Sequence, residues 1–335
     1  MPLPGPSVAL VAGGSRGLGL AVARELLSRG WRVHVAARDA AELERLAHEA
    51  TAGLLRTHVV DVADAEAVGR LVGAVVEADG RVDAAFHVAG TIQVGALESV
   101  TLGHVEEAIG TMLWGPVHLS LAVLPAMRRQ GRGRIGVVSS VGGLVAVPRL
   151  LPYSIAKFGA VGLAEGLAAE LAGTGVTVTS VTPWLMRTGG HEHAHFTGDG
   201  AADHAWFAPG ASLPGLTVPA ERAARRIVDG VLAGRVVVDT SPLPRLARVV
   251  HGLAPATTVR ALGLAARVLP GAAPRRDWRA RDAPHTDGHA VAHRRGDRVL
   301  GVLTAAGRRA ARRLNQPAAR PTPEEVAAPP DARGD

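Results

Sequence analysis

Short unbroken apolar runs alternate with longer segments in which apolar residues recur every three or four positions, and this holds through about residue 240. The first pattern predicts strands and the second helices. Strands are expected at Val8 to Ala12, Arg32 to Ala37, Leu55 to Val59, Ala84 to Val88, Arg134 to Ser139, Val176 to Val181 and Arg235 to Val238. Strands joined through helices run parallel with right-handed crossovers. Residues 1–240 therefore read as an α/β domain, a doubly wound seven-stranded parallel sheet with helices on both faces. The longest helical segments are Leu102 to Arg129 and Pro152 to Gly173.

After Asp239 the pattern changes. Leu246, Val249, Val250 and Leu253, and then Val259, Leu262, Ala266 and Leu269, fall at helical spacing with Arg245, Arg248, Arg260 and Arg267 among them. They predict two basic amphipathic helices broken at Pro255, in an extension over 241–274. Residues 275–335 turn polar and Pro/Arg-rich, with 13 arginines against 8 acidic residues, and read as a largely disordered tail holding one short helix, Val299 to Leu314.

Composition narrows the classes. With 47% hydrophobic but only 3% aromatic residues, the core must be built from Val, Leu and Ala. The absence of cysteine excludes disulfides, thiol catalysis and thiolate metal sites. The first apolar run lacks a basic segment before it and leads into a glycine loop, unlike a signal peptide. No uncharged apolar segment reaches the ~18 residues of a membrane span. A cytoplasmic protein is the default expectation. The tail's 13 − 8 = +5 accounts for most of the net charge of +7, so no specific nucleic-acid partner is expected.

Candidate chemistry lies at two places. The first strand runs into GGSRGLG and then a helix, so Gly13, Gly17 and Gly19 form a strand, glycine turn and helix N-terminus, the geometry that brings backbone N–H groups against a pyrophosphate. Tyr153, the one tyrosine, precedes the one lysine, Lys157, by four residues in a chain whose other 37 − 1 = 36 basic positions are arginine. Residues at i and i+4 share a helix face, and a nearby cation favours phenolate, so a phenol and an ammonium placed this way can move protons. Ser140 ends the run Ile135 to Val138 thirteen residues before Tyr153, with Ser139 as an alternative.

Together these residues resemble the short-chain dehydrogenase/reductase family of Rossmann-like NAD(P)-binding oxidoreductases, over about Ser7 to Asp239. The resemblance implies a catalytic set of Ser140, which would hydrogen-bond the substrate oxygen, Tyr153, the general acid or base, and Lys157, which would lower the phenol pKa and hold the nicotinamide ribose. It also implies cofactor contacts from Gly13, Ser15, Arg16, Gly17, Leu18, Gly19, Asp61, Val62, Ala89, Gly90, Pro183 and Thr188. Three positions depart from the family pattern: His87 and Val88 replace the asparagines of N-N-A-G, Met112 replaces an Asn behind the lysine, and Trp184 replaces the Gly of P-G. Trp184 either shapes or obstructs the pocket.

The place after the second strand that carries an acidic residue in NAD-preferring members holds Ala37 and then Arg38. With Arg16, Arg38 would suit a 2'-phosphate, which favours NADP(H) over NAD(H); the alternative is that Asp39 reaches the ribose. Trp184, Leu144, Leu150, Phe196, Trp206 and Phe207 either line an apolar substrate pocket or pack the lid down, and a lipophilic ketone or alcohol is the substrate class expected. His191, His193 and His195 would share one face of an extended segment, but the loop is Gly-rich and the family chemistry needs no metal. In the family the two long helices usually form a four-helix interface between subunits, so the resemblance implies a homodimer or homotetramer. The 241–274 extension is expected to pack near the substrate entrance, with a wider dimer interface or peripheral membrane contact less favoured. A catalytically weak dinucleotide-binding sensor or scaffold is the alternative to an NADP-dependent oxidoreductase.

Overall fold

In the computed structural model, residues 5–49, 53–269, 275–295 and 298–316 are described. From the N-terminus run β1 (Val8–Ala12), α1 (Gly17–Ser28), β2 (Arg32–Ala37), α2 (Ala40–Glu49), β3 (Leu55–Val59), α3 (Ala65–Asp79) and β4 (Ala84–His87). After a short strand β5 (Gln93–Gly95) come α4 (Leu102–Ile109), α5 (Gly115–Gln130), β6 (Gly133–Val138), α6 (Leu151–Glu170) and β7 (Val176–Thr182). Then follow β8 (Met186–Arg187), β9 (His195–Thr197), α7 (Gly200–Gly210), β10 (Val218–Pro219), α8 (Ala220–Leu232) and β11 (Val237–Asp239).

Seven strands form one parallel sheet in the order β11-β7-β6-β4-β1-β2-β3, as the apolar pattern predicts. β1, VALVA, is buried at every position because helices cover both faces, so its residues need not alternate with polar ones. One face is packed by α1 and α8 through Leu20, Leu26, Ile227 and Val231. The other is packed by α3, α5 and α6 through Val72, Leu119, Met127 and Ala160. The expected Leu102 to Arg129 helix is interrupted by a π-turn at Gly110–Trp114 that carries Met112. The run Leu102–Gln130 is long and apolar enough to cross a membrane by composition, yet half of its most apolar 18-residue stretch is buried inside the fold.

The extension forms α9 (Pro242–Leu253) and α10 (Pro255–Ala266), the expected pair of helices divided next to Pro255. Farther along, the reading of a structureless tail is corrected for its described part. Trp278 and Ala280 carbonyls accept from the N–H groups of Leu102 and Gly103 at 2.8 and 3.0 Å. β12 (Thr286–Asp287) then pairs antiparallel with β9, and α11 (Gly288–Arg295), α12 (Arg298–Leu303) and α13 (Ala305–Arg313) follow. The single helix expected over Val299 to Leu314 is thus two helices parted at Thr304. The rest of the expected tail, 317–335, lies outside the described residues.

The reason is one that composition does not report. Anchoring is by backbone hydrogen bonds and by small residues that let chains touch: a Cβ on Gly189 would lie 2.3 Å from the Ala311 methyl, and one on Gly103 would lie 2.2 Å from the Arg281 carbonyl. Leu314 then enters the α1/α8 core at 1% exposure. Truncating a fully buried leucine typically costs about 2–5 kcal/mol. Leu314→Ala is therefore expected to lower the thermal unfolding midpoint by several degrees; a midpoint unchanged in differential scanning calorimetry would return this segment to the status of a solvated appendage.

Candidate active site

At the C-terminal edge of the sheet, β1 is flanked by β2 on one side and β4 on the other, and chain connections leave in opposite directions. A crevice opens at such a switch point. Here it is a cleft of about 880 Å³. Gly13, Ser15, Arg16, Leu18, Gly19, Arg38, Val62, Ala89, Gly90, Ser140, Tyr153, Lys157, Pro183, Trp184, Thr188 and Trp206, all singled out from sequence, line it.

The glycine turn is held by contacts no side chain could survive. Gly13 adopts φ +82°, and a Cβ there would sit 2.4 Å from the Ala89 backbone; a Cβ on Gly19 would sit 1.9 Å from the Gly13 carbonyl oxygen. These approaches press the start of α1 onto the end of β1. The N-terminal N–H groups and the positive end of α1 are thereby offered to the cleft, a cradle that fits a dinucleotide pyrophosphate.

On the opposite wall, β6 ends at Val138 and α6 crosses above it. The Ser139 hydroxyl donates to the Lys157 carbonyl at 2.7 Å, and the Lys157 ammonium donates to the Val138 carbonyl at 2.9 Å. Ser139, the alternative to Ser140, is thus spent on structure. The Ser140 hydroxyl stands beside the Tyr153 phenol, and its oxygen accepts from the Gly142 N–H at 3.1 Å. Lys157 Nζ lies 5.7 Å from the centre of the tyrosine ring. Burial lowers the lysine to about 8. Burial also pushes the phenol above its ordinary value, and the Ser140 hydrogen bond offsets only part of that. The expected lowering of the Tyr153 pKa by Lys157 is therefore not present in this arrangement: the ammonium points at Val138, and desolvation dominates.

The departures from the family pattern have definite surroundings. Met112 is buried with Ala108 and Ala156 against Tyr153. Its sulfur would lie 3.3 Å from a Cβ on Gly90. His87 is buried and held neutral, lowered to about 3 by desolvation and then by Lys157. The Trp184 indole N–H donates to the Leu216 carbonyl at 2.8 Å, which pins the ring into the cleft wall.

Some expected residues stand elsewhere. Leu144 is buried but does not line the cleft; Val145, Val147 and Leu150 do, because the turn after β6 carries Leu144 away. Phe196 packs edge-on to Phe207 behind the wall. Asp61 accepts from the Ala63 N–H at 2.9 Å and lies beside the cleft, while its neighbour Val62 enters it. Gly17 also lies off the wall, since its N–H donates to the Leu314 carbonyl at 2.9 Å. The three histidines do not share a face, because the chain turns before β9: His191 is buried beside Glu192, His193 faces Arg16, and His195 stacks on His285. His195, His285 and Asp287 have ligand atoms within 4.8 Å of one another. The two rings stack 3.6 Å apart at 8°, which runs their in-plane lone pairs side by side instead of toward a common point.

Other residues at the adenosine end escaped the sequence reading. Glu42, buried, accepts from the Ser15 hydroxyl at 2.6 Å and from Arg16 at 3.2 Å, and Arg16 also lies 3.1 Å from His193 Nδ1. Burial, and then Arg16, lowers His193 to about 4. Asn315 donates to the Ser15 carbonyl at 2.9 Å and to the Glu42 carbonyl at 3.1 Å. An Asn-Gln pair at the end of a basic segment is no recognisable signal, although Asn315 is the only asparagine in the chain.

The family model described as short chain dehydrogenase matches residues 7–195. A 3-ketodihydrosphingosine reductase of Bacteroides thetaiotaomicron is 34% identical over 184 residues, 55% of this chain and 65% of that protein. A D-threitol dehydrogenase of Mycolicibacterium smegmatis is 32% identical over 195 residues, 58% of this chain and 74% of that protein. Among solved structures, a short-chain dehydrogenase from Streptomyces avermitilis is similar at TM-score 0.67 and 28% identity, covering 78% of this chain and 98% of that one. A single-site variant of actinorhodin polyketide ketoreductase with NADPH is similar at TM-score 0.60 and 30% identity, covering 70% and 95%. With its glycine cradle, its crossing α6 and a matching sequence over more than half its length, the chain belongs to the short-chain dehydrogenase family.

Proposed function

We propose that the protein is an NADPH-dependent reductase of lipophilic ketones. The observation that carries this reading is the Ser140 hydroxyl beside the Tyr153 phenol on the same wall as the buried Lys157 ammonium. A bound nicotinamide supplies hydride to the carbonyl carbon. Tyr153 gives its proton to the carbonyl oxygen as charge develops there, and the Ser140 hydroxyl holds that oxygen. Lys157 uses one of its three donors on Val138, leaving two for the nicotinamide ribose and for the phenolate left on Tyr153. Val145, Val147, Leu150, Trp206 and Phe207 give the rest of the cleft an apolar lining suited to a lipophilic substrate. Exposed Trp114 and Leu121 on the π-turn and α5, with Ile155 and Phe158 on α6, support assembly into a dimer or tetramer.

NADP(H) is favoured by the charges at the adenosine end. Asp39, the alternative ribose partner, accepts from the Glu42 N–H at 2.9 Å and so begins α2. Arg38 lines the cleft beside it, while Arg16 is shared with Glu42. Arg38 is therefore the guanidinium left to fork a 2'-phosphate. A second reading, a dinucleotide-binding sensor with weak chemistry, is favoured by Met112, whose thioether packs where a polar group would relay protons behind Lys157.

Purified protein with NADPH and a panel of medium- and long-chain ketones separates the two. Tyr153→Phe is expected to lower turnover by about 10² to 10⁴-fold with NADPH affinity nearly unchanged. NADPH binding without turnover of any ketone by the wild type would leave only the sensor. Arg38→Asp is expected to weaken NADPH by about tenfold or more and to leave NADH unaffected or improved; equal losses for both cofactors would refute the assignment of Arg38. Because burial has brought Lys157 to about 8, its ammonium is present below that pH and lost above it. NADPH affinity should accordingly weaken between pH 8 and about 9.5, and a dissociation constant flat across that range would contradict the role given to the lysine.

A further inference from the structure

The first helix of the extension is built inside out, and the second buries no residue along its whole length. On α9, Leu243, Leu246, Val250 and Leu253 recur at three- and four-residue spacing and form one stripe, yet they are 42%, 57%, 46% and 83% exposed. The side of α9 that meets the domain presents Pro244, Ala247 and Arg248, the last held to Asp239 at 3.2 Å and to Thr182 at 3.1 Å. α10 has no buried residue, and Val259, Leu264 and then Val268 stand exposed. An amphipathic helix on a closed domain turns its apolar stripe inward. Here the stripe faces out, and a contiguous exposed apolar surface of this kind marks an interaction site. The extension lies at the cleft as the sequence predicts, with Ala247 in its wall, but only the small and polar side of α9 meets the domain.

Charge selects the occupant. Residues 242–269 contain Arg245, Arg248, Arg260 and Arg267 and no aspartate or glutamate. A second copy seated on this face across a two-fold axis would bring arginines against arginines with no carboxylate to pair them. A bilayer carrying anionic headgroups supplies both an apolar phase for the leucines and valines and negative charge for the exposed Arg245, Arg260 and Arg267. We propose that α9 and α10 dock the protein on the surface of an anionic membrane, apolar stripe down.

Ala247, on the inner side of α9, lines the cleft. Docking therefore holds one wall of the cleft at the lipid surface, where a lipophilic substrate is concentrated. That consequence rests on the ketone-reductase reading. The docking itself does not, and binding can be measured without turnover.

The test uses the full-length protein in flotation with vesicles of phosphatidylcholine alone and of phosphatidylcholine with ~30% phosphatidylglycerol. Binding is expected to the anionic vesicles and to weaken steeply between low and physiological salt. The double substitution Leu246→Glu/Val250→Glu, on exposed side chains, should weaken it by about tenfold or more while the thermal midpoint and NADPH affinity stay at wild-type values. Arg245→Ser/Arg260→Ser should weaken anionic binding in the same direction and keep the fold. Failure of the wild type to float with anionic vesicles, or equal flotation of wild type and the Leu246→Glu/Val250→Glu variant, overturns the proposal. So does a result in which the glutamates change only the oligomeric state seen by analytical ultracentrifugation, which would assign the stripe to a second copy of the chain.

Discussion

A double tie between the end of β6 and the middle of α6 governs the cleft. The Ser139 hydroxyl binds the Lys157 carbonyl, and the Lys157 ammonium binds the Val138 carbonyl, so strand and helix are locked where they cross. Gly143 permits the crossing, since a Cβ there would lie 2.4 Å from that same Lys157 carbonyl. The register of α6 follows from this lock, and one helical turn before Lys157 it sets Tyr153 against Ser140. A buried ammonium is costly unless hydrogen-bonded, and here it has a backbone acceptor at one end and open donors toward the cleft. The chain keeps its single lysine at this point because a flexible ammonium can shift its pKa and turn between partners, which a guanidinium cannot.

The opposite wall has a different basis. Steric exclusion, not hydrogen bonding, fixes the glycine turn, with β1 and α1 in backbone contact through Gly13 and Gly19. Onto this wall the chain's own C-terminal segment is laid. Leu314 reaches into the core beneath α1, and Asn315 ties the Ser15 and Glu42 carbonyls together. The adenosine end is thus shaped by residues some three hundred positions away, and the polar groups there, Arg16 with Glu42 and His193, form one network whose charges are already partly matched.

Much of this was legible in sequence because it is local. β1 and β6 show as apolar runs since both faces of a parallel sheet are covered, and the spacing of Gly13, Gly17 and Gly19 reports a turn that tolerates no side chain. Ser140, Tyr153 and Lys157 show as an ordered set because strand end and helix face are each short-range features. What remained hidden depends on pairings across the fold. Glu42 looks like any first-turn acid of a surface helix until Ser15 and Arg16 are brought to it. The described part of the tail looks solvated because its anchors are carbonyls, Ala and Gly. Even the direction of α9 was concealed, as periodicity shows that a helix has an apolar stripe and not which way the stripe faces.

The central claim, that Tyr153 is a buried phenol beside Ser140 and within reach of the Lys157 ammonium, can be read directly because the chain has one tyrosine. Protein labelled with 13C at the tyrosine ζ carbon gives a single resonance whose shift reports phenol ionisation. A titration midpoint above the ordinary value of about 10 is expected in the free protein, moved downward when NADP+ is added. A midpoint at the ordinary value and indifferent to NADP+ would contradict it, placing the phenol in solvent and away from both the serine and the cofactor cleft.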